Sequence, residues 1–329
     1  MKNKIRRIFS ILMLVILILA LVTLTAGAIA KANLAKRYPA PGQLVDVGGY
    51  KLHIHCTGQG SPTIILEAGM GDSLLTWSKV QPGISKSTRV CSYDRAGYGW
   101  SEESPHPRTA STQVEELHTL LVNASVQGPY VLVGHSLGGM LVRMYAHNYP
   151  GEVVGMVLVD SFHEERLLRN PQLGEAVQEM TGQFHFLSFL SSCGMMALAP
   201  QTIQNPGYPE DAYAQYQAIV ATTRGFEIFL AELNAAEVSS AEARALHMTD
   251  FGELPLIVLS AGHGQLIPSF TELENQQLWE NLQIEQTELT ALSSGGKQII
   301  AEQSGHYIQL DQPDLVIDAI REMLDAIRK

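Results

Sequence analysis

The chain is 329 residues long and 46% hydrophobic, enough to bury the core of one sizeable α/β domain carrying an insertion. Its formal charge of -11, from 22 Lys and Arg against 33 Asp and Glu, excludes the clustered basic surface that a phosphate backbone requires, so no nucleic-acid partner is expected. Three cysteines, Cys56, Cys91 and Cys193, without C-x-x-C spacing, exclude a disulfide-dense scaffold and a cysteine-based metal or redox motif.

At the N-terminus, Lys2, Lys4, Arg6 and Arg7 precede 23 residues without a charge, Ile8 to Ala30. About 20 apolar residues at ~1.5 Å rise cover the ~30 Å hydrocarbon layer, so residues 1–35 read as a membrane anchor. A cleaved secretory signal competes, with Ala26-Gly27-Ala28 or Ala28-Ile29-Ala30 as small-residue cleavage sites. Signal cores usually run about 7–15 residues, however, and this one is longer. The basic flank favours a cytoplasmic N-terminus, although Lys31, Lys36 and Arg37 on the far side weaken that bias. The expectation is a single-pass protein whose globular part is extracytoplasmic, with secretion as the alternative.

After a linker containing Pro39 and Pro41, short β-branched runs alternate with amphipathic stretches, the pattern of a mostly parallel sheet covered by helices. Leu44–Val47 and Lys51–Cys56, around Gly48-Gly49, predict an opening hairpin. Further strands are predicted at Thr63–Glu67, Arg89–Tyr93, Tyr130–Val133, Val154–Val159, Pro255–Ser260 and Lys297–Glu302, making eight. Helices fit at Ala110–Ser125, Leu137–Tyr149, Glu272–Ala291 and Pro313–Ile327. Residues 161–250 interrupt the alternation with a strandless, Leu/Ala/Phe/Met-rich block broken by Pro171, Pro200, Pro206 and Pro209. That is too long for a loop and reads as an inserted helical cap, leaving 40–160 and 251–329 as the core.

Gly134-His135-Ser136-Leu137-Gly138 matches G-x-S-x-G between a predicted strand and a predicted helix, the setting of a nucleophile elbow. Small neighbours permit a sharp turn that presents the Ser136 hydroxyl, and the amides that open the helix face any developing oxyanion. From Leu44 to the C-terminus the chain here resembles the α/β-hydrolase family. The resemblance implies an eight-stranded, mostly parallel sheet flanked by helices. It also implies an oxyanion hole formed by the backbone N–H groups of Met70, in Glu67-Ala68-Gly69-Met70-Gly71, and Leu137. Tyr93-Asp94-Arg95-Ala96-Gly97-Tyr98-Gly99-Trp100-Ser101 is similar to the family's D-R-x-G-x-G-x-S segment, where Asp94 and Arg95 would hold a loop in shape. Ser304-Gly305-His306-Tyr307 follows the last strand, where the family places its histidine. An imidazole there can take the serine proton and return it to a leaving group.

The acid is the less regular member. Many relatives carry it in a G-x-x-D pattern after the seventh strand, but this chain has Gly262-His263-Gly264-Gln265, and glutamine cannot bear the charge that stabilises an imidazolium. Asp160, ending Val157-Leu158-Val159-Asp160, is the expected substitute, a position that some members use. Asp250, Glu272 and Glu274 remain outside candidates. His53-Ile54-His55 lacks further ligands for a metal, and His163-Glu164-Glu165 lacks the second histidine of H-E-x-x-H. Cys56 and Cys91 fall on strands that the resemblance makes neighbours, and either a disulfide or two buried thiols would fit. Phe184, Phe186, Phe189, Met195 and Met196 read as cap core rather than substrate pocket, with the lining of an acyl site as the alternative for some of them.

The expected chemistry is acyl transfer through Ser136 and His306 on a small-molecule ester, needing no metal or organic cofactor. Proline-type aminopeptidases, lactonases and carbon–carbon bond hydrolases are rivals built on the same elbow. A silent, membrane-tethered binding module is the rival of another class, favoured by the missing acid after the seventh strand.

Overall fold

The computed structural model describes residues 2–264 and 266–328. Helix α1 (Lys2–Arg37) leads into the hairpin β1 (Gln43–Asp46) and β2 (Lys51–Thr57). Then come β3 (Thr63–Glu67), the short α2 (Gln81–Ile84), β4 (Val90–Asp94), α3 (Ala110–Asn123), β5 (Tyr130–His135), α4 (Leu137–Asn148) and β6 (Val153–Val159). Five helices follow without a strand: α5 (Arg166–Arg169), α6 (Leu173–Ser192), α7 (Met195–Leu198), α8 (Glu210–Thr222) and α9 (Gly225–Ala245). The alternation resumes with β7 (Leu256–Ala261), α10 (Glu272–Thr290), β8 (Lys297–Ala301), α11 (Ile308–Asp311) and α12 (Pro313–Ile327).

The eight strands form one sheet in the order β1-β2-β4-β3-β5-β6-β7-β8. Only β2 runs against the others, so β3 to β8 all point their carboxyl ends to the same side. Period-two alternation divides the buried strand residues between two apolar layers. Ile65, Leu132, Leu158 and Val258 pack with Leu117 and Leu121 of α3 and Met140 and Leu141 of α4. Ile64, Val131, Val133, Val157 and Leu259 pack instead with Trp77, with Ile84 of α2, and with Val316 and Ile320 of α12.

The predicted strands agree with the observed ones to within a residue at each end, except that β5 continues two residues further, through Gly134 and a fully buried His135 that pairs with Val159. The helical turns at Leu74–Trp77 and α2 were not foreseen, because Pro82 and Gly83 hide a helical pattern only four residues long. Cys56 and Cys91 are register partners on β2 and β4 and are joined by a disulfide. Phe186, Phe189 and Met195, read from the sequence as cap core, are instead exposed. Hydrophobicity alone does not say which face of a helix meets the core.

Close approach fixes one glycine in the turn after β5. A Cβ on Gly138 would lie 2.6 Å from the Ala68 carbonyl oxygen and 2.7 Å from the Glu67 carbonyl, both rigid backbone. We expect Gly138→Ala to cost about 1–3 kcal/mol through this overpacking, read as a lower midpoint in thermal or urea unfolding.

Candidate active site

Every residue singled out from the sequence for chemistry, apart from the outside candidates for the acid, emerges at the carboxyl edge of the sheet. Ser136 sits between β5 and α4 with φ 52° and ψ -122°, a left-handed conformation that a side-chain-bearing residue rarely adopts. Such strain costs on the order of 1–3 kcal/mol and persists only when the surroundings over-determine it. Here the Ser136 N–H donates to the Val159 carbonyl at 3.1 Å, and its carbonyl accepts from Gly139 and Phe162, both at 2.9 Å. Three backbone bonds and the buried flanking elements therefore hold the turn, leaving the side chain partly exposed.

Asp160 follows β6, also in a left-handed conformation at φ 42°. Its Oδ2 meets His306 Nδ1 at 2.6 Å, and its Oδ1 accepts from the Ala261 N–H at 3.1 Å. Burial alone would push this carboxyl up, but the His306 hydrogen bond and charge, with the Ala261 amide, outweigh it and hold the pKa below the ordinary carboxylate range. With Nδ1 engaged, His306 has Nε2 as its free nitrogen. The ring packs 4.6 Å from that of His135, and the His306 carbonyl lies 3.0 Å from His135 Nε2, so the imidazole is tied to the residue preceding Ser136.

The other acid candidates lie elsewhere. Asp250 accepts from the Gly252 N–H in an exposed turn, Glu272 is exposed at the start of α10, and Glu274 closes a capping box with Thr271. Gln265, where many relatives carry the acid, lies outside the described residues.

Leu137 opens α4, so its N–H has no intrahelical acceptor. The loop carrying Met70 lies directly above: a Cβ on Gly69 would fall 3.2 Å from Ser136 Cβ. That loop is fastened from below by Arg95, which donates to the Ala68 and Gly69 carbonyls, both at 2.7 Å, and to Glu67 Oε1 at 2.8 Å. Arg95 also meets Glu232 of α9 at 2.9 Å, and the Tyr98 hydroxyl donates to the same carboxylate at 2.9 Å. One buried guanidinium thus ties the inserted helices to the loop over Ser136. Asp94 shapes the neighbouring loop, accepting from the Leu74 N–H at 2.8 Å and the Trp100 N–H at 3.1 Å while facing His53 at 2.8 Å. Of the paired histidines noted in the sequence, His53 is engaged by Asp94 in the core.

Beside Met70 lies a pocket of about 290 Å³, walled mainly by Phe184, Tyr216, Phe226 and Phe229 from the inserted helices and reached by Tyr307. One ionisable side chain on its floor was missed by sequence reasoning. Asp72 Oδ2 lies 3.7 Å from His135 Nδ1. A carbonyl can only accept, so His135 Nε2 carries the proton toward His306. Burial, reinforced by the charge of His306, lowers the His135 pKa to about 3, so the ring is neutral and Nδ1 is a bare acceptor. An ionised carboxylate facing that lone pair would be repelled. Burial raises the Asp72 pKa to about 7 and Glu232 adds to the rise, against the pull of Arg95 and His306. The only sequence signal was an aspartate directly after a Gly-x-Gly turn.

The model of the family described as alpha/beta hydrolase fold matches residues 62–313, and the chain belongs to that family. It is 29% identical over 269 residues to the uncharacterised protein YqjL of Bacillus subtilis (strain 168), covering 82% of this chain and 86% of that protein. Among solved structures it is similar to a thermophilic esterase from Thermogutta terrifontis, with a TM-score of 0.58, 20% identity and coverage of 87% and 99% of the two chains. It is also similar to the Cif epoxide hydrolase from Acinetobacter nosocomialis, with a TM-score of 0.69, 15% identity and coverage of 92% and 96%.

The Asp72 environment sets a pH dependence. The folded pKa lies above the unfolded value near 3.8, so folding is favoured most below that value, and stability is lost as pH rises toward about 7. We expect Asp72→Asn, which cannot ionise, to raise the melting temperature relative to wild type more at pH 8.5 than at pH 5. An equal shift at both values would contradict a protonated buried carboxyl.

Proposed function

We propose that this family member is a serine hydrolase that cleaves carboxylic esters through an acyl-enzyme. In this reading the Ser136 hydroxyl attacks the ester carbonyl carbon while His306 Nε2 accepts its proton. The oxyanion is held by the N–H groups of Met70 and Leu137, and the α4 N-terminus adds its dipole. The leaving alcohol takes the proton from His306, water then attacks the acyl carbon with His306 again as base, and the acid departs. Asp160 orients the imidazole and stabilises its charged form. The observation that carries the reading is the 2.6 Å contact of Asp160 with His306, which supplies the acid that the segment after β7 does not. The same contact weighs against a silent binding module.

An ester with an apolar acyl group suits the aromatic pocket, in which Asp72 is the only carboxyl among the described residues. An epoxide hydrolase of this fold would need a carboxylate nucleophile where this chain has a serine. Amide and carbon–carbon bond cleavage remain the rivals within the family. Residues 161–250 act in this reading as a cap over a core of 40–160 and 251–329, with residues 1–35 as a retained anchor and the catalytic part outside the cytoplasm. The disulfide is consistent with that compartment. Retention is supported by Gly27, which is buried against the backbone of Gly194 and would be lost on cleavage at either small-residue site.

A fluorophosphonate probe should label the folded wild-type protein and leave Ser136→Ala unlabelled; an unlabelled wild type would refute the mechanism. Asp160→Asn should retain the fold and lose roughly three to four orders of magnitude in kcat on p-nitrophenyl esters, because the imidazole loses its orienting charge. Near-normal turnover would move the acid elsewhere. N-terminal sequencing of protein recovered from membranes should begin before Gly27, and a start at residue 29 or 31 would establish a cleaved signal.

A further inference from the structure

The outer face of the inserted helices has an unusual chemistry. From Met180 to Pro209 the chain runs thirty residues without an Asp, Glu, Lys or Arg, in a protein of formal charge -11. Within that stretch Met180, Phe186, Phe189, Met195 and Leu198 are exposed, the two phenylalanines to 60% and 58%. A phenylalanine left in water forgoes about 1.5–3 kcal/mol of burial, and large side chains displayed together mark a contact surface.

Helix α1 arrives at this face. Its least exposed positions, Thr23, Ala26, Gly27, Ala30 and Leu34, recur at helical spacing. Ala30 and Leu34 pack against the buried cluster of Ala197, Ile203 and Ala221, Gly27 abuts Gly194 between α6 and α7, and Lys31 Nζ donates to the Ser191 carbonyl at 3.0 Å. Before this contact, Ile5 and the apolar residues from Ile8 to Leu24 project into the surroundings. About 20 residues of helix match the ~30 Å hydrocarbon layer, so the far boundary of the span falls where α1 meets the corner of α6 and α7. Phe189, one turn before that corner, and Met195, just after it, therefore sit at the same level as the membrane surface. Beneath them lies a cavity of about 740 Å³ bounded by Leu190, Met195 and Met196, which shares Tyr216, Val220 and Phe226 with the pocket beside Met70.

We infer that the α6–α7 face is seated in the outer layer of the bilayer that α1 spans, and that the cavity beneath it receives an acyl chain directly from the lipid. The membrane seat rests on the anchor reading, and the fate of the acyl chain rests on the ester-hydrolase reading. The occupant is lipid rather than a protein because α1, whose apolar residues from Ile8 to Leu24 are exposed, fixes this face at the membrane boundary, where uncharged Phe and Met side chains can enter hydrocarbon without burying a charge.

The test uses full-length protein in phosphatidylcholine nanodiscs, with Cys193→Ser so that an NBD fluorophore can be attached at Phe189→Cys. Val122→Cys, exposed near the end of α3 at the opposite edge of the sheet, is the reference. The probe at 189 should emit to the blue of the reference and be quenched by doxyl-labelled lipid. Water-like emission at 189, or a probe shielded from iodide yet untouched by doxyl lipid, would overturn the inference, the latter in favour of a second copy or another protein. In parallel, Phe186→Ser with Phe189→Ser should cut kcat/KM on 4-methylumbelliferyl oleate dissolved in the same bilayer by roughly tenfold or more, the scale of losing one buried aromatic. Hydrolysis of 4-methylumbelliferyl acetate from solution should be unchanged, and equal losses on both esters would count against lipid-side entry. Lipid quenching in a wild type inert toward both esters would support the seat and refute the hydrolase reading instead.

Discussion

A left-handed serine between a buried strand and a helix is the constraint around which the site is assembled. Strain on the order of 1–3 kcal/mol is small beside the two apolar layers that hold β5 and α4, but it is large enough that the turn must be clamped locally. The clamp is backbone: the Val159 carbonyl on one side and the amides of Gly139 and Phe162 on the other. Because Phe162 follows Asp160 by two residues, the same bonds that hold the serine also fix where β6 ends and where its carboxylate points. Geometry at one strand tip is thus coupled to geometry at the next.

A second layer of order comes from buried charge. Arg95 satisfies Glu67, Glu232 and two loop carbonyls at once, so removing either carboxylate would leave a cation with an incomplete shell in a low-dielectric interior. Breaking a buried pair of this kind typically costs about 3–5 kcal/mol, well above the worth of a surface ion pair. Its effect on the site is positional: the loop over Ser136 and the first half of α9 are held in one register, so the pocket wall and the loop carrying Met70 share a foundation. Asp72 lies on the floor of the same pocket with the buried His135 3.7 Å away, and the neutral imidazole and the raised carboxyl pKa are two aspects of one desolvated environment.

The core strands and most helices were legible because their cause is local: β-branched runs bounded by glycine, a serine between small residues, and a proline opening α12. Asp160 was legible as the residue ending an apolar run, although its contact with His306 joins positions 146 residues apart and needed the resemblance to suggest it. What escaped had non-local causes. Glu232 reads as one of several acidic residues on a cap helix until Arg95 is seen beneath it, and Asp72 gains its character only from the burial of its surroundings. Phe186 and Phe189 fit a core pattern, and their exposure is set by how α6 packs on the other inserted helices, which no window of α6 encodes. The uncharged stretch around them was nonetheless visible in the sequence.

The packing of Gly27 against Gly194 has a consequence for how this architecture can diversify. Two segments separated by about half the chain share one interface, with no side chain between their backbones, so each constrains the residue the other tolerates. An exchange of the inserted helices between relatives, a common route to new selectivity, would therefore have to carry the leading helix along with it. A graft that swapped only one of the two would inherit a mismatched seam between them.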